Sequence, residues 1–241
     1  MEITLDKFLD GKLRIYQPKK GYRAGIDAVL LAASVKERNN LSILDVGSGS
    51  GVISFCLAYR CNNVSITGIE KNKDYHLLSL KSFKKNNKNF KINFINKDFK
   101  KLDKMQFSVI VSNPPWFPIN SIYESKNSLI NEAKIESITL DRWINKVCDN
   151  LELFGEYYTI FPYDRINEII DIMKNYFNLI KIYPLASFVK DKPNKAIIYA
   201  KKTNNKYKLL KFDKIIIHKS DKSFMDNIKK VLREGSSLSL A

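Results

Sequence analysis

Short apolar, β-branched runs alternate with segments of helical periodicity along most of the chain. The runs predict seven strands and the segments between them predict four helices. Strands are expected at 41–46, 64–70, 91–96, 107–112, 156–161, 179–185 and 196–201, and helices near 51–60, 73–86, 138–153 and 164–177. This alternation is typical of parallel βαβ units. It predicts an α/β fold with a doubly wound, seven-stranded, mostly parallel sheet.

The sequence also predicts extensions at both ends of this core. GYRAGIDAVLLAASV indicates a turn and then a helix, with the Asp27 carboxylate as N-cap. Segment 206–219 alternates enough for one or two more strands, and SFMDNIKKVLREG indicates a short helix that ends at Gly235. Segment 117–135 lacks clear periodicity, and we expect a loop there.

These elements predict one domain that covers the whole chain. The expected parts are an N-terminal segment that covers a cofactor (1–40), a Rossmann-like core (41–202) and a C-terminal extension (203–241). No apolar run approaches the roughly 18 residues of a membrane span, and the first residues are too polar for a secretory signal. We therefore expect a cytoplasmic protein without membrane contact, and a monomer.

Cysteine and charge content narrow the function classes. Cys56, Cys61 and Cys148 are odd in number and too far apart for a zinc ribbon, so neither a disulfide framework nor a metal site is expected. The chain has 41 Lys and Arg against 25 Asp and Glu, a formal charge of +16, which favours a polyanionic partner such as nucleic acid. Part of this positive charge comes from lysines that are spread along the whole chain, and this part is not evidence of a binding site. The basic runs 81–101 and 218–230 are candidate phosphate tracks.

A glycine-rich turn follows the first core strand. The pattern is Asp45-x-Gly47-x-Gly49-x-Gly51 directly before a helix, where the backbone can pass close to a nucleotide-like ligand. A dinucleotide fingerprint requires a third glycine at Val52, which argues against an oxidoreductase. The pattern resembles motif I of class I S-adenosylmethionine-dependent methyltransferases. That resemblance implies S-adenosyl-L-methionine as cofactor, with Asp45 near its amino acid portion and the glycines around it.

Two acidic residues follow the next two strands. Glu70 ends the second strand, where a carboxylate accepts hydrogen bonds from both ribose hydroxyls. Asp98 ends the third strand, where the methyltransferase family usually places a residue beside the cofactor's adenine. Both residues are predicted to bind the cofactor.

The fourth strand runs into Asn113, Pro114, Pro115 and Trp116. The Asn113 side-chain oxygen and the Pro114 carbonyl can accept the two N–H bonds of a planar amine, Pro115 stiffens the corner, and Trp116 offers a face for stacking. The segment resembles motif IV of amino methyltransferases, so we predict these four residues to be catalytic and Asn113 also to border the cofactor. Adenine, the 2-amino group of guanine and a glutamine amide all fit this motif.

The stretch QPKKGYRAGIDAVLLAASV, together with NPPWF, LDRWINKV and IYPL, resembles the tRNA adenine N(6)-methyltransferase family that modifies valine tRNA beside the anticodon. The resemblance implies a tRNA partner, and it places Tyr22, Arg23 and Asp27 around the cofactor. Trp116 is a departure, because Tyr or Phe is commoner in that family.

Four other functions remain open at this point. A release-factor glutamine methyltransferase usually carries an extra helical domain before motif I, where only about 40 residues stand here, so we place it second. Methylation of rRNA or DNA fits the same charge. A non-catalytic RNA-binding protein with a vestigial fold is disfavoured by the intact Asp45, Glu70 and Asn113. An oxidoreductase is least favoured.

Overall fold

A computed structural model describes residues 1–86, 89–113 and 139–240. The strands are β1 (Ile3–Phe8), β2 (Leu13–Pro18), β3 (Ser42–Val46), β4 (Ser65–Glu70), β5 (Ile92–Asn96), β6 (Phe107–Ser112), β7 (Leu151–Pro162), β8 (Leu179–Ala186), β9 (Lys195–Lys201), β10 (Lys208–Lys211) and β11 (Ile215–Ile216). The helices are α1 (Ile26–Ser34), α2 (Val52–Arg60), α3 (Lys73–Asn86), α4 (Leu140–Asp149), α5 (Ile166–Met173) and α6 (Asp226–Glu234).

One mixed sheet forms the centre of the described part of the chain. Its strand order is β10-β8-β9-β7-β6-β3-β4-β5, with β11 also paired to β8. Strands β3 to β7 are parallel, β9 is antiparallel to β7 and β8, and β10 and β11 are parallel to β8. The predicted α/β class and mostly parallel sheet are confirmed. The sheet has nine strands rather than seven, and the two extra strands come from segment 206–219.

The strand order creates a switch point between β3 and β6. The chain leaves β3 through β4 and β5 on one side and returns to β6 on the other side. Val46, the last residue of β3, lies opposite Ser112, the last residue of β6. Gly47 and Asn113 therefore emerge side by side at the carboxyl edge of the sheet, meaning the edge where β3 to β7 end. In open α/β sheets, ligands bind in the crevice at such a point.

Helices cover both faces of the sheet and bury two apolar clusters. One cluster includes Leu30 of α1, Phe55 of α2 and Ile228 of α6, all fully buried. The other includes Ile144 of α4 and Ile169 of α5. Each such side chain contributes about 1.5–3 kcal/mol when fully buried, so the sheet is a rigid base for its carboxyl edge.

The N-terminal segment differs from the prediction, because a β-hairpin precedes the expected helix. Strands β1 and β2 pair antiparallel over their full length. Leu13, Ile15 and Gln17 are buried on one face of β2, a period of two that the sequence carries. The helix predicted in this segment is confirmed as α1, but the two strands before it were not predicted.

Two local predictions at helix ends are also wrong. Helix α1 follows Gly25 without a side-chain cap, and Asp27 forms an ion pair with Lys195 instead of capping. Helix α4 ends at Asp149 rather than 153, because Asn150 caps it and β7 begins immediately afterwards. The predicted C-terminal helix is confirmed as α6, with a left-handed Gly235 at its end. The predicted loop 117–135 lies outside the described residues.

Within the described ranges, none of the helices has both the length and the apolar character that crossing a bilayer requires.

Candidate active site

The glycine turn after β3 has an open side and a packed side. Gly47, Gly49 and Gly51 all have positive φ, at 72°, 55° and 90°. A Cβ atom added at Gly47 or Gly49 would meet nothing within 4 Å, whereas one at Gly51 would lie 2.8 Å from Phe94. Gly47 and Gly49 therefore leave room for a ligand against the backbone, and Gly51 is required by packing.

A shallow, open cleft lies beside this turn. Its walls are backbone and small side chains, with one amide and one phenol. The lining residues are Tyr22, Ala24, Ala28, Gly47, Ser48, Gly49, Ser50, Val52, Ile53 and Asn113. The structure thus brings Tyr22, two motif glycines and Asn113 together, although 91 residues of sequence separate Tyr22 from Asn113.

Ser48 is a cleft residue that the sequence analysis missed. It stands between Gly47 and Gly49, and its hydroxyl is buried with no hydrogen-bond partner among the described residues. Buried hydroxyls normally have a partner, so this one fits a polar ligand in the cleft. No sequence signal marked Ser48, because a serine within a glycine-rich turn is common in turns of every kind.

Asp45 lies beneath the turn and is fully buried. Its Oδ2 accepts hydrogen bonds from the Ser54 amide at 3.1 Å and the Ser54 hydroxyl at 2.6 Å, which ties β3 to the start of α2. Its Oδ1 has no partner in the described part of the chain. Burial raises the pKa of Asp45 to about 7, with Glu70 adding to the rise and the Ser54 bonds opposing it. A buried acceptor left over beside the glycine turn fits a ligand that carries donors.

Glu70 braces the same turn from β4 and is only 9% exposed. Its Oε2 accepts the Gly49 amide at 2.9 Å and its Oε1 accepts the Asn72 amide at 2.8 Å. Burial raises the pKa of this carboxyl, and the two amide bonds act against the rise. The Lys71 amide also interacts with this carboxylate. A carboxylate has about four acceptor sites, so Glu70 can hold the turn and still accept a hydroxyl.

The other predicted cofactor residues are divided between the cleft and its surroundings. Asp98 follows β5 at the carboxyl edge, where its Oδ1 accepts the Lys100 amide at 2.9 Å. Tyr22 lines the cleft, and burial followed by the charge of Asp27 raises the pKa of its phenol to about 12. Arg23 points to the hairpin, where it donates to Thr4 Oγ1 and the Pro18 carbonyl and pairs with Asp6.

Asn113 directly follows β6. Successive residues of a strand point to opposite faces of the sheet. The Ser112 hydroxyl lies on one face, 2.7 Å from the buried Tyr157 hydroxyl, whereas Asn113 lines the cleft on the other. Trp143 on α4 donates to the same Tyr157 oxygen at 3.3 Å, so the end of β6 is held by a buried polar group. Pro114, Pro115 and Trp116 lie outside the described residues.

In the described part of the chain, burial raises the pKa of all three cysteine thiols, including that of the partly exposed Cys148. Cys56 and Cys61 are buried, and burial raises the pKa of both thiols, that of Cys56 to about 12. Such thiols stay protonated and unreactive near neutral pH. No cluster of His, Cys, Asp and Glu in the described ranges has the arrangement of a metal site.

Comparison with known proteins relates part of this chain to methyltransferases. Residues 23–136 match the family described as the methyltransferase small domain. A tRNA1(Val) (adenine(37)-N6)-methyltransferase of Flavobacteriaceae bacterium (strain 3519-10) is 28% identical over 63% of this chain and 64% of that relative. A release factor glutamine methyltransferase of Lactococcus lactis is 35% identical over 54% of this chain and 52% of that relative. The alignments thus span less than two thirds of either relative.

Several solved methyltransferases share this fold. A predicted O-methyltransferase of Agrobacterium tumefaciens has a TM-score of 0.73 and 18% identity, over 88% of this chain and 98% of that one. The T. Thermophilus 16S rRNA N2 G1207 methyltransferase, solved with AdoMet (S-adenosyl-L-methionine) and guanosine, has a TM-score of 0.59 and 16% identity, over 83% of this chain and 50% of that one. By the match of residues 23–136 and by its fold, this chain is similar to S-adenosyl-L-methionine-dependent methyltransferases.

Proposed function

We propose that this chain transfers a methyl group from S-adenosyl-L-methionine to the exocyclic amino group of an adenine in tRNA, beside the anticodon. The observation that supports this best is the juxtaposition of Asn113 with the open glycine turn, since Val46 and Ser112 are register partners at the ends of β3 and β6. One cleft therefore carries both a cofactor-binding turn and an amide acceptor for the substrate.

The hydrogen-bonding groups and the space along the glycine turn suit the cofactor. Glu70 suits a ribose hydroxyl because a carboxylate has about four acceptor sites, more than its backbone amide partners occupy. Gly47 and Gly49 allow close backbone approach, and Asp98 stands at the neighbouring strand end, where we propose that it contacts the adenine. When bound, the cofactor supplies an electrophilic methyl group on a sulfonium ion.

Asn113 would act on the substrate amine through its side-chain oxygen. An exocyclic amine of adenine is a weak nucleophile because its lone pair is delocalised into the ring. Accepting one N–H bond at Asn113 Oδ1, and the other at the Pro114 carbonyl as the sequence suggests, orients the lone pair and stabilises the positive charge that develops on nitrogen. No strong base is required, because the nitrogen becomes acidic only as it takes the methyl group and can then release its proton to water. Positioning of this type is worth up to about 7–11 kcal/mol.

The choice of tRNA rests on the charge of the chain and on the names of its relatives. The formal charge of +16 suits a polyanion, and several curated relatives at 24–28% identity are named tRNA1(Val) (adenine(37)-N6)-methyltransferases. A target base would leave its stack to enter the cleft.

The direct test incubates the protein with labelled S-adenosyl-L-methionine and tRNA transcribed without modifications, followed by digestion and mass spectrometry of the nucleosides. A labelled 6-methyladenosine supports the proposal. Label on a different nucleoside, or none in tRNA, contradicts it.

A glutamine amide is the second candidate substrate, because a relative named as a release factor glutamine methyltransferase has 35% identity. The same assay with a bacterial release factor as methyl acceptor separates the two functions. Label in the protein acceptor and not in tRNA would favour the second candidate.

Replacing Glu70 with Gln is expected to raise the Kd for S-adenosyl-L-methionine about 10- to 100-fold, which corresponds to the loss of one to two charge-assisted hydrogen bonds. In the variant, one oxygen of the side chain is replaced by an NH₂ group. This group cannot accept the hydrogen bond that a backbone amide donates to the oxygen in the wild type. Isothermal titration calorimetry measures the change. Glu168→Gln is a matched control. Glu168 lies on α5 and forms a partly exposed ion pair with Arg165, so its replacement should leave the Kd unchanged. An unaltered Kd in Glu70→Gln would exclude Glu70 from cofactor binding.

Replacing Tyr157 with Phe is expected to reduce turnover about 10-fold, because its hydroxyl bonds Ser112, the residue before Asn113. Tyr158→Phe is a closely matched control. Its hydroxyl bonds Glu156 on the opposite face, towards the other edge of the sheet. Both variants should lose about 1–3 kcal/mol of stability. Equal effects of the two variants on kcat, measured well below both melting temperatures, would contradict the expectation.

A further inference from the structure

We propose that two adjacent segments, residues 187–195 and 214–222, form the surface that docks the RNA backbone next to the cleft. We call these segments the basic rim. The inference rests on the proposed function and names the part of the fold that would hold the polyanion.

The strand directions place the basic rim at the carboxyl edge. Because β9 is antiparallel to β7, its first residue Lys195 lies opposite Pro162, at the end of β7. β7 in turn borders β6, where Thr159 lies opposite Ser112. Two strand spacings of about 4.8 Å separate β6 from β9. The rim therefore begins roughly 10 Å to the side of β6 and about three residues beyond the level of Ser112.

Among the described residues, the rim lies on the side of the cleft away from Glu70 and Asp98, and its Lys195 pairs with Asp27 of α1. The glycine turn, Glu70 and Asp98 follow β3, β4 and β5, which extend from the switch point in one direction. Strands β6, β7, β9 and β8 extend in the other. A base that reaches Asn113 would thus have its flanking nucleotides over the ends of β7, β9 and β8.

Hydrogen bonds give the rim a fixed shape. Lys214 Nζ donates to the carbonyls of Val189 and Asp191 at 2.6 and 2.9 Å, which ties the two segments together. The Phe188 amide donates to the Asp191 carboxylate at 3.1 Å. The His218 ring lies between Phe188 and Phe224, with centroids 5.4 and 4.9 Å away. A surface ordered before binding loses little entropy when it binds.

The charge of the rim suits phosphates. The two segments contain six lysines and two aspartates, and two of the lysines pair with carboxylates outside the segments, Lys195 with Asp27 and Lys219 with Asp226. Both aspartates accept hydrogen bonds from their own loops, Asp191 from Phe188 and Asp221 from Ser223. Lys190 and Lys192 are exposed on either side of Asp191, next to Val189, whose residue surface is 68% exposed. Exposed lysines beside an apolar side chain fit a sugar–phosphate backbone.

The structure further separates the two basic runs that the sequence offered. Run 81–101 starts within α3 and includes β5, which lies on the cofactor side of the sheet. Run 218–230 starts within the rim. Segment 187–195 was not singled out in the sequence, because its three lysines are fewer than those of either run. Only the antiparallel return through β8 and β9 places it beside the cleft.

The test compares two double charge reversals of equal size. Lys190→Glu with Lys192→Glu alters the rim. Lys206→Glu with Lys208→Glu alters two exposed lysines of the same spacing. They lie before and at the start of β10, at the amino end of β8 and away from the carboxyl edge. For each variant, the Kd for unmodified tRNA is measured at several salt concentrations, and the Kd for S-adenosyl-L-methionine is measured alongside.

The rim variant is expected to bind tRNA at least about tenfold more weakly, with a salt slope reduced by roughly 1.4–1.8, since each phosphate contact contributes about 0.7–0.9. The control should change less than about threefold, because it alters only long-range attraction. Equal losses in the two variants, or wild-type affinity in the rim variant, would overturn the inference alone. A wild-type protein that neither binds nor methylates tRNA would overturn the proposed function as well.

Discussion

Asn113→Ala is expected to lower kcat for methyl transfer about 10²- to 10³-fold, while the Kd for S-adenosyl-L-methionine stays near the wild-type value. Loss of one preorganised hydrogen-bonding group at a site of charge development has an effect of this size. Asn113 stands at the end of β6 and lines the cleft, so truncation removes the acceptor without disturbing the Glu70 brace of the glycine turn. Single-turnover kinetics and calorimetry measure the two quantities separately.

Two controls make this result interpretable. Asn113→Asp keeps an acceptor oxygen of nearly the same shape, and we expect it to retain more turnover than Asn113→Ala. The melting temperature of each variant shows whether β6 is intact. Wild-type turnover in Asn113→Ala would disprove the role proposed for the side chain. Equal loss of turnover and cofactor affinity would indicate that Asn113 serves the cofactor instead.

Asp45→Asn is expected to stabilise the cofactor-free protein at pH 8 by up to roughly 4 kcal/mol, at about 1.36 kcal/mol for each unit by which a pKa rises. Burial raises the pKa of Asp45 from 3.8 to about 7 in the folded chain. Asparagine resembles the neutral carboxyl and can still accept the Ser54 hydrogen bonds through its oxygen. A residue that costs stability in this way is typical of functional sites.

The pH dependence gives the sign of the effect. Between pH 4 and pH 7 the folded state holds the Asp45 proton and the unfolded state has released it, so the stability of the wild type falls as the pH rises. The stabilisation that the folded state gains by holding this proton is fully present below pH 4 and is lost as the pH passes about 7. Urea unfolding at several pH values should show this decline in the wild type and a flatter profile in Asp45→Asn. Parallel profiles would mean that Asp45 is not perturbed.

Much of the fold could be predicted because its signals are local. The seven predicted core strands all occur, and so do the six helices expected before, between and after them. Each of these elements carries its own period of two or 3.6 within about ten residues. The glycine turn was visible for the same reason, since Gly47, Gly49 and Gly51 adopt the positive φ that such spacing predicts.

The candidate site was predicted residue by residue but not as an arrangement. Asp45, Glu70, Asp98 and Asn113 were singled out at strand ends, and their strands do end at one edge. The roles of these residues remain predictions. Arg23 faces the hairpin and Asp27 pairs with Lys195, contacts that no local pattern could indicate because their partners are 17 and 168 residues away.

The sequence by itself determined the α/β class, the glycine turn and the set of polar residues that follow the strands, since each depends on neighbours along the chain. Only the tertiary structure decided the order of strands around β3, the antiparallel return through β8 and β9, and the hairpin on which Arg23 rests. These features depend on which apolar faces bury one another across long sequence separations. That choice is made by packing of the whole chain and is not encoded in any single segment.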